Sequence, residues 1–147
     1  MKRKIKKICC FLVILILLLV LYNNYTLIKI YGDSMFPTYH AKSIHILKKG
    51  NKDINQFDVI VFKLNNNDTY IKRVIALPND TITCKNNIIY VNGNAVDDEF
   101  AKFTNDFENI KLKKDEFFVL GDNRKESNDS RIFGPIKKVD IVGKILK

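Results

Sequence analysis

Residues 58–80 read DVIVFKLNNNDTYIKRVIALPND. Two runs in this stretch, 58–64 and 69–77, are rich in β-branched and aromatic residues, and the polar sequence NNND separates them. Apolar runs of this composition on either side of a polar turn predict two consecutive β-strands. The stretch therefore predicts a sheet, and it places Lys72 inside an otherwise apolar strand.

Shorter runs of the same kind occur on both sides of this pair. They lie at 27–31, 43–48, 81–83, 88–91, 116–120 and 141–146. Residues 84–87 predict a hairpin turn, and Asn92-Gly93 predicts a second turn. The segment 97–114 is polar and charged with scattered phenylalanines, and it predicts one short helix or a mobile loop. The sequence thus predicts a mostly β domain without long helices.

A membrane anchor is predicted at the N-terminus. Residues 8–21 are an unbroken apolar run, preceded by five basic residues, and the chain has a formal net charge of +9. The run is shorter than the ~20 residues of a typical span and also suits a signal peptide. No small-residue cleavage site follows in YNNYTLIKI. We therefore predict a basic cytoplasmic tail at 1–7, an uncleaved signal anchor at 8–25 and an extracytoplasmic domain at 26–147. A removed signal peptide is the alternative.

The cysteines and histidines predict no disulfide and no metal site. Cys9 and Cys10 belong to the apolar run, and Cys84 is alone in the rest of the chain. His40 and His45 have no cysteine or carboxylate at metal-ligand spacing. We expect no cofactor. Because much of the positive charge is in the tail beside an apolar run, we read it as a topology signal rather than as a nucleic-acid site.

Ser34 is the first candidate reactive residue. It lies in GDSMFPT, residues 32–38, directly after a predicted strand. A serine hydroxyl acts as a nucleophile only with a base within hydrogen-bond reach. Gly32 permits backbone conformations that a Cβ forbids, and Pro37 stiffens the chain after the serine, so the Ser34 hydroxyl and N–H would be held in place. The alternative is a turn serine that bonds to its own backbone.

Lys72 is a candidate base. Strand alternation places it on one face with Tyr70 and Val74, where it would be at least partly desolvated. Burial disfavours the ammonium form and lowers the pKa of a lysine. To act near neutral pH, the pKa of Lys72 must fall by about 2–3 units. The alternative is a lysine on an edge strand whose charged end reaches solvent.

A polar loop, GDNRKESNDSR at 121–131, contains further candidates. The hydroxyl of Ser127 could orient a neutral lysine amine. Asp129 could pair with Arg131 or with Arg73 and hold the loop on the sheet. Asp122, which follows the opening glycine, indicates a turn. The alternative is an ordinary solvated loop.

In this order behind an anchor, the elements resemble the type I signal peptidases, or leader peptidases, in their single-span, Gram-positive-like form. The resemblance covers most of the chain. It rests on the Ser-Met-x-Pro-Thr element at 34–38, the strand FDVIVF at 57–62, the Lys-Arg-Val element at 72–74 with its Leu-Pro-x-Asp exit, and the specific pattern of the loop at 121–131. It implies a compact β-sheet or partial-barrel catalytic domain behind one transmembrane helix.

The resemblance also implies roles for individual residues. Ser34 matches the nucleophile and Lys72 the general base. Four residues match positions that organise the site, with Ser127 bonding the lysine: Ser127, Asp129, Arg131 and Arg73. Met35 and Ile71 match positions beside the substrate cleft. Gly32 stands where some bacterial members have a serine that helps to bind the oxyanion, although Gram-positive-like members often have glycine there.

Two departures from the family pattern remain. Ala76 and Asn79 replace glycines that are common in the lysine-containing element, so the turn at 78–80 is expected to differ. The region between Asp80 and Glu116 is short, so any accessory β region is expected to be minimal.

The resemblance implies a membrane serine endopeptidase that removes signal peptides from exported preproteins by a Ser/Lys dyad, cutting after small residues in Ala-x-Ala-like sites. Its partners would be preproteins and membrane lipids, and its location the cell membrane. One alternative is a membrane-anchored β-module that binds peptides without cutting them. Another is a related Ser/Lys peptidase with a specialised substrate.

Overall fold

The computed structural model describes residues 2–50, 53–64, 68–101 and 103–146. One long helix, α1 (Lys2–Asn24), leads directly into strand β1 (Tyr25–Lys29). The next strands are β2 (Ile44–Lys49), β3 (Val59–Lys63), β4 (Thr69–Ala76), β5 (Thr81–Lys85), β6 (Ile88–Val91) and β7 (Asn94–Ala95). They are followed by β8 (Phe107–Lys111), β9 (Glu116–Leu120), the short helix α2 (Ser130–Phe133), β10 (Ile136–Lys137) and β11 (Ile141–Ile145). The prediction of a mostly β domain is confirmed.

The larger sheet has seven strands in the order β1-β2-β11-β3-β4-β9-β10, and every pairing is antiparallel. Strands β3 and β4 are the pair predicted from residues 58–80. Their side chains are buried almost throughout, because both faces of this part of the sheet are covered by apolar clusters. The centre of the sheet is therefore a rigid support for whatever β4 carries.

Strand β4 has one edge that is only half paired. It pairs with β3 from Thr69 to Arg73, whereas β9 pairs with it only from Arg73 to Ala76, with a register shift near its end. Among the described strands, none pairs with the first residues of β4, 69–72, on the β9 side. This free edge lines the same pocket as residues 28–31, which are the last two residues of β1 and the two that follow it.

The smaller sheet has four short strands in the order β7-β6-β5-β8. Its two hairpins turn at Asn86-Asn87 and at Asn92-Gly93, and all four residues have positive φ, as the tight turns between hairpin strands require. Both predicted turns are therefore confirmed. The accessory β region expected to be minimal is a complete small sheet.

The prediction for 97–114 is wrong in part. Its described residues form no helix. They form a loop and one strand, β8 (Phe107–Lys111), which pairs with β5. The alternation that marks a strand is missing here, because a register shift in the pairing with β5 separates the two inward residues, Phe107 and Ile110, by three positions. Both pack against the core cluster of the small sheet.

Helix α1 is long and apolar enough to cross a membrane over Lys6–Asn24. Its side chains are exposed along this whole stretch, so it does not pack into the β domain. The helix begins earlier than the predicted anchor, and Tyr25, which we placed at the end of the anchor, is the first residue of β1.

Candidate active site

Ser34 and Lys72 are in direct contact. The Nζ of Lys72 lies 2.8 Å from the Oγ of Ser34 and forms a hydrogen bond with it. The same amine donates a second hydrogen bond of 2.8 Å to the carbonyl of Ile71. Lys72 belongs to the free-edge half of β4, whereas Ser34 comes from a turn 38 residues earlier. The fold therefore brings together a hydroxyl and an amine that the sequence only suggested as a pair.

The turn that carries Ser34 is tied to the 121–131 loop. The carbonyl of Ser34 accepts a 3.0 Å hydrogen bond from the N–H of Asn123, and the side chain of Asn123 donates to the carbonyl of Asp33. Gly32 enters the turn with a φ of 75°, a conformation that side chains with a Cβ rarely adopt. The side chain of Met35 is completely buried in an apolar cluster with Ile30 and Leu47, which holds the turn on the domain. The hydroxyl of Ser34 is consequently held toward Lys72.

Lys72 is only 3% exposed, although it carries an ionisable amine. Burial lowers its pKa from 10.5 to about 8, and the negative charges of Asp129 and Asp122 oppose part of this effect. A buried ammonium loses hydration that its surroundings replace only in part. A substantial fraction of Lys72 is thus neutral at mildly alkaline pH and able to accept a proton.

Arg73, the residue after Lys72, points to the other side of the strand and forms a buried ion pair with Asp122. Its Nε and Nη2 atoms donate to the two carboxylate oxygens at 2.8 and 2.6 Å. The ring of Phe100 lies 3.5 Å from the guanidinium carbon. Sequence reasoning interpreted Asp122 as a turn former and missed this role. The available signal was Arg73 itself, because an arginine in a buried strand needs an acidic partner.

Asp129 pairs with Arg131, which is one of the two partners considered for it, and not with Arg73. Its carboxylate accepts hydrogen bonds from the Nε of Arg131 at 2.8 Å and from the N–H of Gly121 at 3.0 Å. It also caps the first turn of α2. Asp129 is completely buried, so a single carboxylate connects the start of the loop to its end.

Ser127 is buried in the same loop, but its Oγ has no hydrogen-bond partner among the residues that the structure describes. The hydrogen bond between Ser127 and Lys72 that the resemblance implies is absent here, since the two hydrogen bonds of Lys72 go to Ser34 and Ile71. Ser127 packs instead against Gly121. A Cβ added at Gly121 would collide with the side chain of Ser127 and with the carbonyl of Ser34. Ser127 therefore lies next to the turn that carries Ser34 without bonding to the amine of Lys72.

A second arginine of the loop was also missed. Arg124 is buried, bonds to Thr104 and to the carbonyl of Gly121, and forms a 2.6 Å ion pair with Asp98. These contacts attach the segment after β7 to the 121–131 loop. No sequence signal marked Asp98 or Thr104, because both belong to a polar segment without periodicity.

The dyad opens into a cleft of about 300 Å³. Gly32 and Ile71 line it together with Ser34 and Lys72, as do the loop residues Glu126 and Asn128. An adjoining apolar pocket of about 320 Å³ extends from Ile71 toward Ile28 and Val61. Met35, which the resemblance places beside the substrate cleft, lines neither pocket, because its side chain is buried in the apolar cluster that contains Ile30 and Leu47.

The cleft and the adjoining pocket form one continuous groove, because Tyr31, Tyr70 and Ile71 line both. Within the residues that the structure describes, no group of three or more His, Cys, Asp or Glu side chains could hold a metal ion. The free edge of β4 and residues 28–31 both line this groove. Exposed backbone edges of this kind pair with extended peptides. The arrangement suits attack on a peptide carbonyl by a serine activated by an amine.

Comparison with known proteins identifies the family of this chain. A family model described as signal peptidase, peptidase S26, matches residues 2–146. The chain is 39% identical to a signal peptidase I of Bacillus caldolyticus over 152 residues, an alignment that covers 90% of this chain and 82% of that protein. It is 34% identical to signal peptidase IB of Staphylococcus aureus, with 78% of this chain and 72% of the relative covered.

A solved structure has the same fold. The crystal structure of a signal peptidase I from Enterococcus faecalis aligns with a TM-score of 0.58 at 30% sequence identity. The alignment covers 65% of this chain and 98% of that chain. From its sequence and its fold, the chain belongs to the signal peptidase family, peptidase S26.

Proposed function

We propose that Ser34 and Lys72 are the catalytic dyad of this protein, which, as a member of its family, is a serine endopeptidase that removes signal peptides from preproteins. One observation carries the assignment: a buried lysine amine with a lowered pKa lies 2.8 Å from a serine hydroxyl at the floor of a groove. The amine is within reach of the proton that it must remove.

The reaction then follows the usual course of acyl transfer. Neutral Lys72 accepts the proton of the Ser34 hydroxyl while Oγ bonds to the carbonyl carbon of the scissile peptide. The backbone N–H of Ser34 donates to the resulting oxyanion. Lys72 returns its proton to the nitrogen of the leaving chain as the peptide bond breaks. A water molecule then gives a proton to Lys72 and attacks the ester carbonyl. Lys72 passes that proton to the Oγ of Ser34 as the ester bond breaks, which releases the signal peptide and restores both residues.

The organising residues support this dyad from the side of the loop. The Asp129–Arg131 pair and the Arg73–Asp122 pair hold the two ends of the loop, and both are buried or nearly so. Ser127 lies between them against Gly121, and its unpartnered hydroxyl is available to orient the Ser34–Lys72 pair. The electrostatic environment of Lys72 is therefore set by residues whose positions are fixed.

The substrate would bind as an extended strand in the groove. The unpaired edge at 69–72 offers backbone hydrogen bonds, and Ile71, Val61 and Ile28 provide an apolar lining for alternate side chains. This lining favours small apolar residues before the cut, as in Ala-x-Ala-like sites. Gly32 and Ile71 are the cleft residues at the scissile bond.

The anchor would keep the enzyme in the membrane that holds its substrates. In this topology, residues 1–7 are cytoplasmic, 8–25 form the signal anchor and 26–147 lie outside. Leu27, Ile44 and Ile46 are exposed apolar residues on β1 and β2, close to the end of α1. Such a surface fits contact with membrane lipids. Confinement to the same membrane raises the effective concentration of enzyme and preprotein.

The test is cleavage of a preprotein with an Ala-x-Ala site by the full-length protein in detergent, followed by N-terminal sequencing of the product. We expect one cut after the second alanine. Ser34→Ala and Lys72→Ala should each lose detectable cleavage while the protein remains folded by circular dichroism. Binding of the preprotein without cleavage by the unmodified protein would instead favour a peptide-binding module. Full activity in either variant would refute the role assigned to that residue.

A further inference from the structure

The cleft around the dyad contains two carboxylates that the reaction does not use. Asp33 precedes Ser34 in the nucleophile turn, and Glu126 ends the short 3-10 helix Arg124–Glu126 on the loop side. Both side chains are exposed, and neither forms a salt bridge with another described residue. Among the residues that line the cleft, Lys72 is the single basic one. This part of the cleft therefore carries a negative rim, defined here by Asp33 and Glu126.

The direction of the groove places this rim after the scissile bond. Strand β1 follows directly from the membrane helix, so the end of the groove near Ile28 is the end closest to the anchor. A preprotein held in the same bilayer by its signal peptide enters from that end. Its chain then runs past Ile71 to Ser34. The mature part continues into the end of the dyad cleft that lies away from the apolar pocket. That side is lined by Asp33, Glu126 and Asn128.

We propose that the rim formed by Asp33 and Glu126 selects preproteins by the charge of the first two residues of the mature chain. Neutral or basic residues are accepted there, and acidic residues are disfavoured. The inference rests on the proposed function, because it assigns a direction to the substrate of that reaction. Glu126 is the better residue to substitute, because it does not belong to the turn that carries Ser34, whereas Asp33 directly precedes Ser34.

The range of the effect follows from geometry and screening. An extended chain advances about 3.3 Å per residue, whereas exposed charges act over about 8–10 Å at physiological salt. The rim can therefore influence the first two residues after the cut. Exposed charge pairs have coupling free energies of up to about 1 kcal/mol, which corresponds to at most about a fivefold change in rate for each pair. We expect a preference of about three- to fivefold rather than an absolute requirement.

The experiment compares three preproteins that are identical except for Lys, Ser or Glu at the second residue of the mature chain. The unmodified protein should cleave the Lys substrate with a kcat/KM about three- to fivefold above that of the Glu substrate. Glu126→Gln should reduce this ratio toward one, and Glu126→Lys, whose positive charge offsets that of the remaining Asp33, should bring the ratio close to one. Raising the salt concentration from about 0.05 M to about 0.5 M should also reduce the ratio, because both charges are exposed.

Glu108→Gln provides the matched control, because Glu108 is an exposed glutamate on β8 that does not line the cleft. It should keep the ratio of the unmodified protein. Equal cleavage of the three substrates, or the same change of the ratio in both glutamine variants, would overturn the proposed selectivity and leave the dyad assignment intact. Failure to cleave any of the three would instead count against the proposed function itself.

Discussion

Arg73 and Asp122 form a two-pronged ion pair whose side chains are almost completely shielded from solvent, with donor–acceptor distances of 2.8 and 2.6 Å. The pair connects the strand that carries Lys72 to the loop that anchors Ser34. The remaining Nη1 atom of Arg73 donates to the carbonyl of Phe57, so both ends of the guanidinium are bonded. The position of Ser34 relative to Lys72 thus depends on this contact.

Removal of Asp122 should be strongly destabilising. Asp122→Ala leaves the Arg73 charge buried without its partner, and loss of one partner from such a pair costs about 3–5 kcal/mol. The free energy of unfolding of the full-length protein in detergent, measured by urea titration, should fall by this amount. Lys113→Ala is the control, because Lys113 is 79% exposed in its ion pair with Glu116 and should change stability by less than about 1 kcal/mol. Equal effects of the two substitutions would contradict the structural role of Asp122.

The pH dependence of cleavage should reveal the ionisation of Lys72. Only the neutral amine accepts the proton of Ser34, and burial lowers the pKa of Lys72 to about 8. Below that value kcat/KM should fall about tenfold for each pH unit, and above it the rate should level off. Initial rates over a pH series on one preprotein would measure this profile. A profile that still rises steeply near the ordinary lysine pKa would show that Lys72 is not desolvated.

The same burial predicts that Lys72 destabilises the fold. Its pKa is lowered from 10.5 when the chain is unfolded to about 8 when it is folded. Below about pH 8 both states hold the proton, and the folded state bears the full cost of the buried charge, about 3 kcal/mol. Between the two pKa values the unfolded state binds more protons, so stability rises with pH. Lys72→Met should therefore be inactive yet more stable at pH 7 by about 2–3 kcal/mol, with the difference shrinking toward pH 10.

Urea titrations at pH 7 and pH 9.5 of the unmodified protein and of Lys72→Met would check this linkage. Lys63→Met is a suitable control, since Lys63 is an exposed lysine on the neighbouring strand β3. A stabilisation of the same size in both methionine variants would mean that added apolar surface, and not relief of a buried charge, explains the result.

Much of the fold was predictable because its centre repeats a simple pattern. The β3–β4 pair follows from the apolar runs at 58–64 and 69–77, and these strands end within two residues of the predicted positions. Strand β8 was not predictable, since its residues FENIK lack the alternation of a strand and it is held by pairing with β5. Asn79 replaces a common glycine and still adopts a φ of 69°, a conformation that asparagine tolerates better than most residues.

The candidate site was predictable where sequence motifs carry it. Ser34 and Lys72 were chosen from their local sequences, and their contact depends on a long-range approach that spacing alone does not give. The partners of Arg73 and Arg124 were not predictable, because Asp122 and Asp98 lie in polar loops whose burial arises only from tertiary packing. Pairing between distant charges leaves no periodic signal in one sequence.

Ser127 should separate activity from stability. Within the described part of the chain its buried Oγ has no hydrogen-bond partner, so Ser127→Ala removes an unpaired polar group and breaks no described hydrogen bond. Stability should stay equal or rise by up to about 1 kcal/mol. If the hydroxyl orients the dyad during the reaction, kcat should fall by at least tenfold with KM little changed. Urea titration and steady-state kinetics on the same preparation give both quantities. A clear loss of stability would indicate that Ser127 forms a hydrogen bond in the resting protein.

Two glycines of the site should respond to alanine for different physical reasons. A Cβ at Gly121 would collide with Ser127 and with the carbonyl of Ser34, so Gly121→Ala must displace the nucleophile turn or the loop. Overpacking of this kind costs about 1–3 kcal/mol, and cleavage should fall at least tenfold because the Ser34–Lys72 distance changes. Gly32 has open space around its Cα but a φ of 75°, so Gly32→Ala meets only backbone strain of about 1 kcal/mol. Urea titration and kcat/KM should both show that Gly121→Ala is the more damaging substitution. If Gly32→Ala is the more damaging one, the conformation at Gly32, rather than the close packing at Gly121, sets the position of Ser34.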